Sequence, residues 1–188
     1  MKADPDAPSL ARRKVLVEDF LPKRIDFDLA LPDTPIRAGD IPPLNISARY
    51  LFGAPGAGLT INGQVNLGAA QDLAQWPGYR FGRYDAQSTT QSSYFGSFET
   101  DAQGHARFII DVPSGAAQGQ PLQATILTRV ADGSARPVER QLITPVRPAT
   151  PVIGIKPLFD GTIGEGTEAS FELIALDAQQ AKTDMPVR

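Results

Sequence analysis

Apolar and polar residues alternate one for one over much of this chain, the period that sets apolar side chains on one face of a pleated strand. From Ile25 the apolar positions are Ile25, Phe27, Leu29 and Leu31, with Asp26 and Asp28 between them, which predicts a strand buried on one face. Leu44, Ile46, Ala48, Tyr50 and Phe52 alternate with Asn45, Ser47 and Arg49. Leu59, Ile61, Val65 and Leu67 then alternate with Thr60, Asn62, Gln64 and Asn66. Gly53-Ala-Pro-Gly56-Ala-Gly58 between them is turn chemistry throughout, so these two runs are expected to form a hairpin. Ala106, Phe108, Ile110 and Val112 predict another strand, between Asp101-Ala-Gln-Gly104 and Pro113-Ser-Gly115. Leu122, Ala124, Ile126 and Val130 lead through Asp132-Gly133 to Val138 through Ile143, a second hairpin. A strand-like lead-in, Val15-Leu16-Val17, precedes Pro22. About seven or eight strands and no amphipathic helix argue for an all-β, antiparallel sandwich, with a closed up-and-down barrel as the other solution. The expected inward set is Phe27, Leu29, Ile46, Ala48, Tyr50, Ile61, Phe108, Ile110, Ile126 and Leu142.

Two stretches break the alternation. Residues 68–93 read as a long polar connection, with Trp76, Tyr79, Phe81 and Tyr84 as packing anchors and Gln87 to Ser93 as an exposed loop. Pro145-Val-Arg-Pro148-Ala-Thr-Pro151 reads as an extended linker, since proline fixes φ and has no N–H. The expected organisation is a flexible lead at 1–13, a sandwich at 14–147, a proline-rich linker at 148–151, and the beginning of a second, truncated β-domain at 152–188. Strands around Val152-Ile-Gly-Ile155 and Ala169-Ser-Phe171-Glu-Leu173 open that second domain. Roughly 35 to 40 residues seldom close a sandwich core alone.

Composition sharpens this. The 17 glycines and 17 prolines among 188 residues fit many short elements joined by tight turns. A net charge of -3 with no basic block cannot neutralise phosphates, so nucleic acid is not an expected partner. No run of about 18 apolar residues is present, so no membrane insertion is expected. Behind the N-terminal charges no apolar h-region follows, and Met1 begins either a cytoplasmic protein or a piece of something longer. With no cysteine there is no disulfide, thiolate nucleophile or zinc–thiolate site.

Catalytic signatures are not found. His105 is the sole histidine, directly after Gly104 at the polar edge of a predicted strand, and reads as a solvated residue. No G-x-S-x-G, Walker A or H-E-x-x-H pattern occurs. Gly53, Gly56 and Gly58 join two strands, whereas a dinucleotide fingerprint must open a helix. Glu18-Asp19, Asp26 and Asp28 read as a solvated face, and Asp101-Ala-Gln-Gly104 as a turn without the further acidic ligands of a calcium loop. Asn45-Ile-Ser47 matches a glycosylation sequon inside a strand, and Arg12-Arg13-Lys14 is too short a run for a membrane surface. The expectation is a non-enzyme with no catalytic, cofactor-binding or metal site and no cofactor.

Val15-Leu-Val-Glu-Asp-Phe20-Leu-Pro22-Lys-Arg-Ile25, followed by Ile46-Ser-Ala-Arg-Tyr50-Leu-Phe-Gly53-Ala-Pro55-Gly-Ala-Gly58, resembles the entry strand and first hairpin of a macroglobulin domain of the α2-macroglobulin and complement family. Asp101-Ala-Gln-Gly104-His-Ala106 resembles that family's turn before a strand, and the bacterial branch is the most similar. The resemblance covers about residues 14–147, and Pro151-Val-Ile-Gly-Ile155 looks like the start of the next macroglobulin domain. It implies a fibronectin-III-like β-sandwich within a multidomain trap that exposes a bait segment to proteinases and changes shape when cut. It also implies neighbouring macroglobulin domains and target proteinases as partners, and export of the parent to the periplasm. The sequence carries no thioester Cys-x-Glu-Gln and no lipobox cysteine, so no functional residue is carried over. Gln87 to Ser93, near Tyr94, Phe95 and Phe98, reads more simply as a loop than as bait. Two functional classes result: a scaffold module of a bacterial proteinase inhibitor, or an adhesion or carbohydrate-binding sandwich with Trp76, Tyr79, Phe81 and Tyr84 as a stacking platform. Exposed, coplanar rings favour the second and buried rings the first.

Overall fold

The alternating runs become two facing sheets. A computed structural model describes residues 24–70, 73–83, 89–115, 119–133 and 137–186. The expected lead at 1–13 and strand at Val15–Val17 lie outside the described residues. Strand β1 (Ile25–Ala30), β3 (Pro43–Tyr50) and β7 (His105–Ile109) form one sheet in the order β1-β3-β7. The facing sheet is β2-β9-β8-β4-β6, built from β2 (Ile36–Arg37), β4 (Thr60–Ala69), β6 (Gln91–Glu99), β8 (Leu122–Ala131) and β9 (Val138–Arg147). All pairings in the two sheets are antiparallel except β2 with β9, which is parallel. The core between them holds Phe27, Leu44, Ile46, Ala48, Ile61, Val65, Leu67, Phe108, Ile110, Ile126 and Val130, all buried. Leu29, Tyr50 and Leu142 pack against it partly buried, so every member of the expected inward set contributes. The β8–β9 hairpin forms as expected, with Val130 opposite Val138.

The expected hairpin between the runs at 44–52 and 59–67 does not form. Strand β3 pairs with β1 and β7, whereas β4 pairs with β6 and β8. Residues 51–59 therefore carry the chain from one sheet to the other, and the two apolar faces meet across the core. Alternation specifies a buried face but not which sheet supplies it. The crossing is held by Thr100, which is buried and whose hydroxyl donates to Gly56 O at 2.6 Å and accepts from Leu59 N–H at 2.8 Å. A Cβ on Gly56 would lie 2.7 Å from Leu59 Cδ1 and 3.0 Å from the Ala48 carbonyl carbon, so the close approach requires glycine. Phe52, placed by alternation on the inner face, is 78% exposed because the strand has already ended at Tyr50.

The polar run expected as a loop ends in a strand: Gln91–Ser93 belong to β6, which pairs along β4 from Leu67↔Gln91 to Thr60↔Glu99. The residues 84–88 lie outside the described set. The pairing slips where Ile61 faces Phe98 and Gly63 faces Phe95, and Ser97 has φ 63°. This bulge turns Phe95 and Phe98, three apart, toward the same core, which erases the period-2 signal. Phe98 stacks on Phe108 with centroids 4.0 Å apart.

A third sheet, β12-β11-β10-β5, comprises β5 (Arg80–Phe81), β10 (Val152–Pro157), β11 (Phe171–Leu176) and β12 (Lys182–Thr183). Pro145, expected in the linker, lies in β9 opposite Gln123, and Pro148 is buried.

Truncating Phe27 or Ile110 to Ala is expected to cost roughly 2–5 kcal/mol of unfolding free energy in urea titrations. Arg107→Ala should stay within about 0.5 kcal/mol, and equal losses at all three sites would reject the assigned faces. Thr128 is fully buried on β8 with a hydroxyl that has no partner. Thr128→Val is therefore expected to be neutral or to stabilise by about 1 kcal/mol, and a clear loss would contradict the unpaired state.

Candidate functional site

The richest constellation of side chains lies where residues 70–83 meet the third sheet. β4 ends at Ala69, and Ala70, Leu73 and Tyr79 are buried with Val152, Ile174 and Leu176, flanked by the partly buried Trp76 and Phe81. The aromatics do anchor packing, but in a second core built jointly with β10 and β11. Phe81 pairs with Gly154 and Arg80 with Ile155, so β5 adds an edge strand to β10. A Cβ on Gly154 would lie 2.5 Å from Phe81 Cε1, and this contact explains the glycine between the β-branched Ile153 and Ile155. Trp76 Nε1–H donates to Gln180 O at 3.1 Å, and Gln75 Nε2–H to Gln180 Oε1 at 2.8 Å. Lys156 Nζ lies 5.7 Å from the Tyr79 ring centroid. Burial pushes the Tyr79 phenol pKa up, and its hydrogen bond with Glu172 adds to the shift.

The same geometry bears on the stacking-platform reading. Trp76 and Tyr79 meet edge to face, 89° apart with centroids at 6.3 Å, and Tyr79 is buried. The three described aromatics therefore do not present the coplanar exposed rings that reading requires; Tyr84 lies outside the described residues.

Asp26 and Asp28 lie on β1 as expected, but in a network. Arg49, opposite Asp26 on β3, binds Asp26 and reaches Asp28 Oδ2 at 2.8 Å. Arg140 on β9 of the facing sheet also binds Asp26 and lies 3.7 Å from Asp28, with its guanidinium 5.9 Å from the Phe27 ring centroid. The network clasps the two sheets. The hydrogen bond from Arg49, with the charges of Arg49 and Arg140, holds the Asp28 carboxyl below its ordinary value of 3.8 against an opposing desolvation, so the group is suited to an ion pair and not to proton donation at neutral pH.

His105 is exposed and opens β7 opposite Ser47. With Asp101 and Ser47 nearby, an open groove of about 570 Å³ holds all three residue types of a hydrolytic triad. Asp101 Oδ1, however, accepts from the backbone N–H groups of Gln103 at 2.9 Å and His105 at 2.8 Å, which makes it a turn cap. Asn45 and Ser47 of the sequon lie in β3, as expected. Among the described residues no group of three or more His, Asp or Glu is placed to hold a metal, and no helix is long and apolar enough to cross a membrane. Glu18-Asp19 and Arg12-Arg13-Lys14 lie outside the described residues.

An aromatic-bearing excursion from a two-sheet sandwich, packed against a third sheet, defines an all-β module with a second, shared core. Residues 23–148 match the family model of the bacterial alpha-2-macroglobulin MG5 domain, and the chain belongs to that family. It is 32% identical over 162 residues to the alpha-2-macroglobulin of Xylella fastidiosa strain Temecula1, covering 85% of this chain and 10% of that protein. Against that of Escherichia coli K12 the identity is 28% over 182 residues, covering 88% and 11%. Among solved structures, native E. coli alpha-2-macroglobulin matches with a TM-score of 0.68 at 28% identity, covering 88% of this chain and 11% of that one. Salmonella alpha-2-macroglobulin reacted with methylamine matches with a TM-score of 0.69 at 27% identity, covering 88% and 12%. The chain thus spans about a tenth of the length of its relatives.

Because Asp28 is held below its unfolded value, its contribution to stability is present above that value and lost as pH falls through the folded one. Thermal melts from neutral pH down to pH ~2 should show this loss in the wild type and a shallower acid limb in Asp28→Asn, by a small margin because the pair is exposed. Coincident acid limbs would show that the pair carries no linkage.

Proposed function

We propose that this chain is a scaffold module of a bacterial α2-macroglobulin-like, broad-spectrum proteinase inhibitor, exported to the periplasm, in which trapping by conformational change belongs to the whole polypeptide. The carrying observation is the family match over residues 23–148 in a chain about a tenth as long as its relatives. Solved relatives include E. coli alpha-2-macroglobulin activated by trypsin and by porcine elastase, which supports proteinases as the targets of the assembled protein. In this reading the macroglobulin sandwich occupies 14–147, a short connection 148–151, and residues 152–188 begin the next macroglobulin domain.

The third sheet supports that division. Its two longer strands, β10 and β11, are apolar on both faces, the signature of strands covered on both sides. Val152, Ile174 and Leu176 face the joint core, whereas Ile153, Ile155, Phe171 and Leu173 are 38–49% exposed on the other face. Neighbouring domains of the parent chain are the partners this module would meet, and no residue in it is assigned a catalytic, cofactor or metal role.

The purified chain should neither hydrolyse a casein substrate nor inhibit trypsin or elastase stoichiometrically, while the full-length polypeptide that contains it inhibits both. His105→Ala should change neither result. Inhibition by the chain alone, or hydrolysis that disappears with His105, would overturn the scaffold reading.

A further inference from the structure

We infer that the excursion at 73–83 is a docking arm that holds the 152–186 unit by non-covalent packing, so that residues 148–151 act as a tether and not as a hinge. This concerns the joint itself and stands whatever the assembled polypeptide inhibits. The family match ends at residue 148, yet the buried core of the following sheet is half made from inside the match: Ala70, Leu73 and Tyr79 on one side, Val152, Ile174 and Leu176 on the other. Neither half encloses a core by itself, so each is the other's missing layer.

Three features make this a fitted interface and not a chance contact. The arm contributes backbone as well as side chains, because β5 pairs with Gly154 and Ile155 of β10. The contact is shaped: Phe81 occupies the space of the absent Gly154 side chain, at a position whose backbone does not itself demand glycine because Gly154 is not among the residues with positive φ. Its rim is closed by polar groups, with Trp76 and Gln75 donating to Gln180, which has φ 61° and lies in the turn between β11 and β12. That turn is capped by Asp177, whose Oδ1 accepts from Gln179 N–H at 2.8 Å and Ala181 N–H at 2.9 Å, so the Gln180 carbonyl is presented on a fixed frame. Pro148 is itself buried, which removes the first residue of the tether from free rotation. The partner the arm fits is therefore an antiparallel ribbon with a glycine on the contacted face and a rigid acceptor turn at its end. A force on the ribbon passes to the sandwich through the arm as well as through the tether.

The test keeps the full chain. A specific proteinase site is substituted at residues 149–150, the protein is folded and then cut, and the two pieces are followed by size-exclusion chromatography and amide hydrogen exchange. The expected result is that the cut pieces co-elute and separate only in denaturant. Gly154→Val, which displaces Phe81, should release the pieces after cutting and raise exchange in 152–157 and 171–176 at least tenfold while β8 keeps its protection. Trp76→Ala should act in the same direction more weakly. Ile153→Ser, on the opposite face of the same strand, should leave co-elution intact. Separation of the wild-type pieces under native conditions would overturn the proposal. So would equal behaviour of Gly154→Val and Ile153→Ser.

Discussion

The sandwich depends on one crossing. A chain that leaves β3 at Tyr50 must enter the opposite sheet at Thr60 within ten residues, and although its first half folds back on β3 through Tyr50 N–H to Ala54 O and Gly56 N–H to Ala48 O, its remaining backbone groups must find partners elsewhere. Thr100 supplies what the ladder does not: its hydroxyl bridges Gly56 O and Leu59 N–H, and its own carbonyl accepts from Gly58 N–H at 3.1 Å. Gly104 closes the same corner, since a Cβ there would lie 2.2 Å from Ala48 O. The three-stranded sheet is thereby positioned over the five-stranded one before any apolar contact is counted. The clasp of Asp26, Asp28, Arg49 and Arg140 closes another edge from outside. It is exposed and salt-screened, and so fixes alignment more than it adds stability.

The third sheet obeys a different constraint. Strands β10 and β11 carry two apolar faces, and among the described residues only one of these is covered. Cover comes from the excursion after β4, whose polar composition hides four spaced apolar anchors, Leu73, Trp76, Tyr79 and Phe81. Each anchor meets a specific feature of the ribbon: Val152, Ile174 and Leu176 for burial, Gly154 for space, Gln180 for hydrogen bonding. The chain therefore builds its second unit partly from its first.

What was legible in the sequence was whatever a period of two can carry. The all-β class, the inward set from Phe27 to Leu142 and the β8–β9 hairpin all follow from it. The macroglobulin resemblance rested on short turn motifs such as Tyr50-Leu-Phe-Gly53-Ala-Pro55, and the family match bears it out. The errors share one cause, that periodicity is local. It assigned β3 and β4 to one hairpin because both show a buried face, although the faces belong to opposite sheets. It missed β6 because a bulge at Gly96-Ser97 brings Phe95 and Phe98 to the same side out of phase. Pro145 reads as linker because it opens a run of three prolines in seven residues, although the first of them still lies in β9 opposite Gln123.

The junction was half legible for a related reason. Trp76, Tyr79 and Phe81 stand out as anchors in a polar stretch, but nothing in their spacing says that their partners lie as far on as Gly154 for Phe81 and Gln180 for Trp76. Gly154 carried the missing signal: a glycine between Ile153 and Ile155, in a strand with no turn, points to a bulky group resting on the strand. A single glycine does not name that group. Once Phe81 is seen there, the double apolar faces of β10 and β11 acquire an order, with the inner face packed against the arm of the preceding sandwich and the outer face, Ile153, Ile155, Phe171 and Leu173, left 38–49% exposed among the described residues.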